Sequence, residues 1–128
     1  MRSIGYFTFD PAKPDSQAAL TRAYGDFCVR GGHIATGCFA EDASIEGHPK
    51  WDEMVQTIED SRLGYLVVVP SASHLGPTLH EKVRRVLDLD ALSCQTVCDD
   101  AEYPDPLQNA VRAQSGPNSR SERIREGM

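Results

Sequence analysis

Three side chains that could bind a ligand or a metal ion follow predicted strands: Asp10, His48 and His74. Asp10 ends an aromatic-rich segment, His48 closes an acidic loop, and His74 lies in a loop that follows the most apolar run of the chain. A carboxylate with two imidazoles is a donor set that divalent transition metals accept. The sequence therefore offers a metal or ligand site, provided that the fold brings the three loops together.

Each of these residues, like Thr78 in the same loop as His74, also has a simpler role that involves no ligand. Asp10-Pro11 is typical of a turn in which the aspartate side chain accepts hydrogen bonds from nearby backbone amides. Thr78 begins the pattern Thr-Leu-His-Glu, which is that of a helix-capping box. His48 and His74 are then expected to be partly exposed loop residues without a ligand.

The elements that must position these loops alternate between strands and helices. Strands are predicted at residues 3–9, 33–39, 65–69 and 91–97. The run Tyr-Leu-Val-Val-Val at 65–69 is continuously apolar, which is typical of a strand buried on both faces. It should therefore be central in the sheet.

Three helices are predicted between these strands from apolar residues spaced three and four apart. The first begins near Asp15 and ends at Gly31-Gly32, and the second begins at Pro49. The apolar face of the second helix contains Trp51, Met54, Val55 and Ile58, and that of the third contains Leu79, Val83, Val86 and Leu87.

This alternation predicts an α/β fold: a three-layer, mostly parallel sheet of at least four strands with helices on both faces. Ligands of such sheets bind beyond the carboxyl ends of the strands. A site is accordingly expected among residues 10–14, 40–48 and 71–78.

Composition and charge exclude several classes of protein. The chain has 128 residues with 13 Lys and Arg against 19 Asp and Glu, so its net charge is −6. This balance predicts weak or no autonomous DNA binding, because gripping phosphates requires a basic surface. The sequence contains no apolar run long enough for a membrane span and no signal-like start, so we expect a cytoplasmic protein.

The four cysteines lack the closely spaced pairs of a structural zinc site. We expect them to be reduced thiols that pack as small hydrophobic side chains, and we expect no cofactor. They are Cys28, Cys38, Cys94 and Cys98.

The composition changes towards the end of the chain. Residues 1–111 are expected to form the α/β domain, and residues 112–128 a polar tail or short helix. Leu107 and Val111 are the large apolar residues of the region between the last predicted strand and this tail, and they are expected to need cover.

Several stretches resemble the catalytic domain of the serine recombinases, the resolvase and invertase family. Residues 4–10, Ile-Gly-Tyr-Phe-Thr-Phe-Asp, look like that family's first strand, Gly-Tyr-x-Arg-Val-Ser. Residues 48–51, His-Pro-Lys-Trp, look like the Arg-Pro-x-(Trp/Leu) start of its second helix. Residues 73–79, Ser-His-Leu-Gly-Pro-Thr-Leu, look like its Asp-Arg-Leu-Gly-Arg-Ser-Leu motif. The resemblance covers residues 3–111 and implies a resolvase-like fold.

The resemblance also implies that the active site is degenerate. In the family a serine attacks a DNA phosphodiester while arginines neutralise the phosphate, which requires an activated hydroxyl and fixed cations. Here Asp10 occupies the position of the serine, and Thr8, His48, His74 and Pro77 occupy positions of arginines. Ser73 replaces an aspartate, and Thr78 matches the serine after the last of these arginines.

The resulting hypothesis is a pseudo-recombinase: a non-catalytic domain that serves as a protein-interaction or regulatory module, linked to DNA recombination. Its expected partner is a second copy, through Leu107 and Val111, or a recombinase of the family. The alternative is a binder of a small molecule, nucleotide or metal, or a new enzyme, that uses the crevice near Asp10, His48 and His74.

Overall fold

The structure, a computed structural model, describes residues 1–99. Four strands form one parallel sheet: β1 (Arg2–Phe9), β2 (Ile34–Asp42), β3 (Leu66–Val69) and β4 (Gln95–Cys98). Their order in the sheet is β2-β1-β3-β4. The apolar strand β3 thus lies between β1 and β4, which confirms the prediction of a central strand.

Helices cover both faces of the sheet, as predicted: α1 (Pro14–Gly31), α2 (Pro49–Ser61) and α3 (Leu79–Ala91). The side chains Tyr24 and Cys28 of α1 pack against Leu66 and Val68 on one face. Helices α2 and α3 pack on the other face, over a larger core that includes Tyr6 and Val67. The successive residues of β3 are all buried because alternate side chains enter the two cores.

The apolar spacing of α2 places its residues at the interface between helix and sheet. Trp51, Met54 and Ile58 are buried at positions i, i+3 and i+7. The Trp51 ring meets the ring of Tyr6 in β1 edge to face, with 5.0 Å between the ring centroids. The predicted second helix and the predicted position of Trp51 are therefore confirmed.

Two predicted strand boundaries and one predicted burial were wrong. The second strand was expected at 33–39 but continues to Asp42. The fourth strand was expected at 91–97, but Ala91 still belongs to α3 and the strand begins only at Gln95, after a turn in which Ser93 has a φ of 64°. Leu79 was assigned to the buried face of α3, yet it is 47% exposed. Leu79 is the first residue of α3. The buried residues of this helix are Val83, Val86 and Leu89.

The predictions about the cysteines, the membrane spans and the end of the chain have different outcomes. Cys28, Cys94 and Cys98 are buried in the cores, whereas Cys38 on β2 is exposed. None of the described helices is both long enough and apolar enough to cross a membrane. Leu107, Val111 and the expected domain boundary at residue 111 lie outside the described residues.

Close packing between β1 and α1 depends on Gly5. A Cβ atom at this position would lie 2.8 Å from Cγ of the Tyr24 ring, a distance that requires the helix or the ring to shift. The Tyr24 hydroxyl is fixed from the other side, because it donates to the backbone oxygen of Ser3 at 3.0 Å. The ring therefore has little freedom to retreat.

We expect Gly5→Ala to lower the free energy of unfolding by about 1–3 kcal/mol, the usual cost of overpacking a core. Chemical denaturation followed by circular dichroism measures it. Gly37→Ala is the matched control, because a Cβ on this β2 glycine meets no atom within 4 Å. Equal stability of the two variants would show that α1 does not pack this closely on β1.

Candidate functional site at the carboxyl ends of the strands

The loop after β1 and the loop after β3 leave the sheet towards opposite faces, which opens a crevice between neighbouring strands. Two predicted site residues meet there. His74 lies in a short 3₁₀ helix, Ala72–Leu75, and its Nδ1 accepts a hydrogen bond of 3.0 Å from the backbone amide of Thr8. The Thr8 hydroxyl is also within 3.2 Å of Nδ1.

The hydrogen bond gives Nδ1 of His74 the role of acceptor, because an amide can donate only to a ring nitrogen that carries no hydrogen. The pair places a hydroxyl and an imidazole side by side at the crevice.

Asp10 forms the turn that its sequence context suggested. Its carboxylate oxygen Oδ1 accepts from the amide of Ala12 at 2.9 Å, and its backbone oxygen accepts from the amide of Lys13 at 2.9 Å. The residue is exposed. Its side chain thus acts locally, in starting the connection from β1 to α1.

The loop before α3 is held by its own polar contacts. The hydroxyl oxygens of Ser71 and Ser73 lie 2.8 Å apart. The Thr78 hydroxyl accepts from the amide of Glu81 at 3.1 Å, which confirms the predicted cap of α3. Pro77 is exposed and lies between this cap and Gly76, whose φ is 141°.

His48 occupies the position before the first residue of α2. Its backbone is left-handed, with a φ of 52°, and its side chain makes no capping hydrogen bond. The cap comes instead from Glu41 at the end of β2, whose carboxylate accepts from the amides of Trp51 at 3.0 Å and Lys50 at 3.2 Å. His48 is thereby held at the start of α2 by a residue seven positions earlier in the chain.

Glu41 is 1% exposed, and the sequence interpretation missed it because it reads as one more acid in an acidic loop. The Tyr6 hydroxyl donates to its Oε1 at 3.2 Å. Burial and the nearby carboxylate of Glu41 raise the pKa of Tyr6 well above its usual range, although Arg85 acts in the opposite direction. Tyr6 is therefore a permanent donor to Glu41 at neutral pH.

The electrostatics of the crevice differ from those of a phosphate site. Residues 10–13, 43–48 and 70–78 form its three loops, and Lys13 is their one Lys or Arg. Asp10 and Glu46 bring negative charge to the same loops. Preorganised cations are the usual means of stabilising a phosphoryl transition state, and these loops do not supply a set of them.

The metal site suggested by the sequence is not formed. Across residues 1–99 no group of three or more His, Cys, Asp and Glu side chains is placed to hold a metal ion. Asp10, His48 and His74 thus come to the same edge of the sheet without forming a ligand set. Asp10 is engaged in its turn and His74 in its bond with Thr8.

Comparison with known structures finds the same fold in serine recombinases. The chain matches a resolvase family site-specific recombinase from Streptococcus pneumoniae with a TM-score of 0.72 and 12% identity, over 99% of this chain and 93% of that one. It matches the N-terminal catalytic domain of TP901-1 integrase with a TM-score of 0.71 and 10% identity, over 98% and 99% of the two chains.

A third match is the C-terminal catalytic domain of ISC1926 TnpA, an IS607-like serine recombinase, with a TM-score of 0.64 and 11% identity, over 85% of this chain and 74% of that one. No protein-family model and no curated protein matches the chain. The predicted resolvase-like fold is confirmed.

The buried carboxylate of Glu41 generates a stability prediction. Glu41→Ala leaves two helix amides and the Tyr6 hydroxyl without their acceptor, so we expect a loss of about 3 kcal/mol in the free energy of unfolding. Urea denaturation measures the loss. Glu46→Ala removes an exposed acid from the same loop and should cost less than about 0.5 kcal/mol. A Glu41→Ala protein as stable as Glu46→Ala would contradict the role of this cap.

Proposed function

We propose that this chain is a non-catalytic domain with the serine recombinase fold that acts in the cytoplasm as a protein-interaction or regulatory module linked to DNA recombination. The contact between Thr8 and His74 carries the proposal. By the motif resemblance, both positions belong to arginines in the family, and here the two residues are hydrogen-bonded to each other.

The chemistry of strand cleavage supports the same reading. A serine nucleophile attacks phosphorus, whereas the carboxylate of Asp10 repels the phosphate and makes the local turn. Loss of one transition-state donor costs a factor of about 10² to 10³ in rate. With Thr8, His74 and Pro77 at positions of arginines, the combined loss removes measurable cleavage.

The net charge favours a protein over DNA as the partner. The chain carries −6, and its crevice loops are not basic, so contact with a duplex would meet repulsion. Binding of duplex DNA at physiological salt should be no tighter than the non-specific range of about 10⁻⁴ to 10⁻⁶ M. A role in recombination would then be exercised through a second copy or through an active recombinase.

The proposal predicts that Asp10→Ser alone does not restore cleavage. Restoring the hydroxyl leaves Thr8, His74 and Pro77 in place, so the phosphate stays uncompensated. The measurement is a search for a covalent protein-DNA adduct on supercoiled plasmid by denaturing electrophoresis, with an active serine recombinase as the positive control. A phosphoserine-linked adduct formed by Asp10→Ser, or any adduct formed by the native chain, would overturn the non-catalytic assignment.

A second prediction concerns assembly. We expect a symmetric dimer at micromolar concentration that buries Leu107 and Val111. In sedimentation velocity, the double variant Leu107→Asp with Val111→Asp should be monomeric with an unchanged circular dichroism spectrum. Ala113→Asp with Gln114→Asp adds the same charge nearby and should leave the dimer intact. A monomeric native chain would remove self-association from the proposed function.

A further inference from the structure

A groove separates α2 and α3 on the outer side of the larger core. It has a cavity volume of about 410 Å³. Its floor is apolar and comes from Trp51 and Val55 of α2 and from Leu92 at the end of α3. Three carboxylates also line it: Asp52, Glu59 and Asp88.

The three carboxylates are not engaged by the protein itself. Within residues 1–99 none of them has a hydrogen-bond or ion-pair partner for its side chain, and no Lys or Arg lines this 410 Å³ cavity with them. Glu53 on the same helix differs, since its carboxylate is bound by Lys50 at 3.2 Å. The groove therefore combines apolar side chains with three carboxylates that form no ion pair.

The spacing of these residues fits a helical ligand. Asp52, Val55 and Glu59 are three and four residues apart, so they form one stripe along α2. Asp88 and Leu92 are four apart and form the facing stripe on α3. Both stripes line the same cavity, one from each helix, as the two walls of a helix-binding groove do.

The groove continues beyond Glu59 into a neighbouring cavity of about 290 Å³. Glu59 and Leu92 line both cavities. Ile58 and Leu63 add apolar surface to the second cavity, and Arg62 adds one cation at that end. From Trp51 to Ser61, the last residue of α2, the helical rise gives a length of about 15 Å, slightly less than three helical turns.

We propose that this groove binds an amphipathic helix of a partner protein, with an apolar stripe flanked by arginine or lysine. The apolar stripe covers Val55 and Leu92, and the cations pair with Asp52, Glu59 and Asp88. The guanidinium of Arg85 lies 4.6 Å from the centroid of the Trp51 ring, so one cation of the protein itself already stands beside the groove, and the three carboxylates are the positions left for the cations of the partner. This inference deepens the proposed function, because it specifies the partner of the interaction module.

The test uses two synthetic peptides of 14 residues that share Leu at positions 3, 7 and 10. One carries Arg at the flanking positions and the other carries Glu there. Binding of the full-length protein is measured by fluorescence anisotropy of the labelled peptides at low salt. We expect a Kd on the order of 10 μM for the Arg peptide and at least tenfold weaker binding of the Glu peptide. Equal binding of both peptides, or none by the Arg peptide, would overturn the inference.

The binding position is read from the protein itself. Trp51 is the single tryptophan of the chain and lines the groove, so its emission should change on binding of the Arg peptide. Binding without any change in this emission would place the peptide elsewhere. A synthetic peptide of residues 107–128 serves as a competitor. If it competes as strongly as the unlabelled Arg peptide, the groove binds this chain's own segment, and the proposal of a partner protein is overturned.

Matched variants distinguish the effect of the carboxylates in the groove from the effect of the net charge of the protein. The double variant Glu59→Gln with Asp88→Asn should bind the Arg peptide at least tenfold more weakly. Asp26→Asn with Glu46→Gln makes the same change in net charge at exposed positions away from the groove and should leave binding within twofold. If both double variants bound the Arg peptide equally weakly, the binding would depend on the net charge of the protein and not on the groove, which would overturn the inference. Peptide binding and DNA adducts are independent readouts, so failure here leaves the non-catalytic assignment standing, and an adduct would overturn that assignment alone.

Discussion

The carboxylate of Glu41 joins three elements that are far apart in the chain. It lies at the end of β2, receives the hydroxyl of Tyr6 from β1, and accepts two amides at the start of α2. A buried carboxylate is tolerated only when its oxygens are hydrogen-bonded, and the first amides of a helix need acceptors. Each group therefore satisfies a requirement of the others. The position of α2, and with it the Trp51 contact to the sheet, depends on this arrangement.

The loops at the carboxyl ends of the strands are held by hydrogen bonds between residues close together in the chain. These local contacts are the Asp10 turn, the Ser71–Ser73 pair and the Thr78 cap. None of these requires a cation or a nucleophile. The same 3₁₀ helix that carries His74 contributes Ala72 and Leu75 to the larger core, so the loop after β3 is anchored by packing as well as by polar contacts.

The two surfaces of the molecule differ in what they can bind. The crevice brings the hydrogen-bonded pair Thr8 and His74 to the edge where the strands end. The α2–α3 groove brings unpaired carboxylates beside apolar side chains. Apolar area provides affinity, and unpaired charge at its rim selects the partner and speeds its approach. The second combination is suited to a protein ligand, which agrees with a role exercised through protein contacts.

The sequence by itself determined the element order, the central strand and the core face of α2, because apolar periodicity of 2 or 3.6 reports which side of an element is buried. It also determined the cap at Thr78, which is a local hydrogen bond between neighbours in the chain. Tertiary structure alone decided that Leu79 is exposed, that Thr8 meets His74, and that Asp10, His48 and His74 form no metal site. It also made Glu41 a buried cap. These outcomes depend on distances between residues far apart in sequence, and a pattern along the chain carries no information about such distances until the strands are in register.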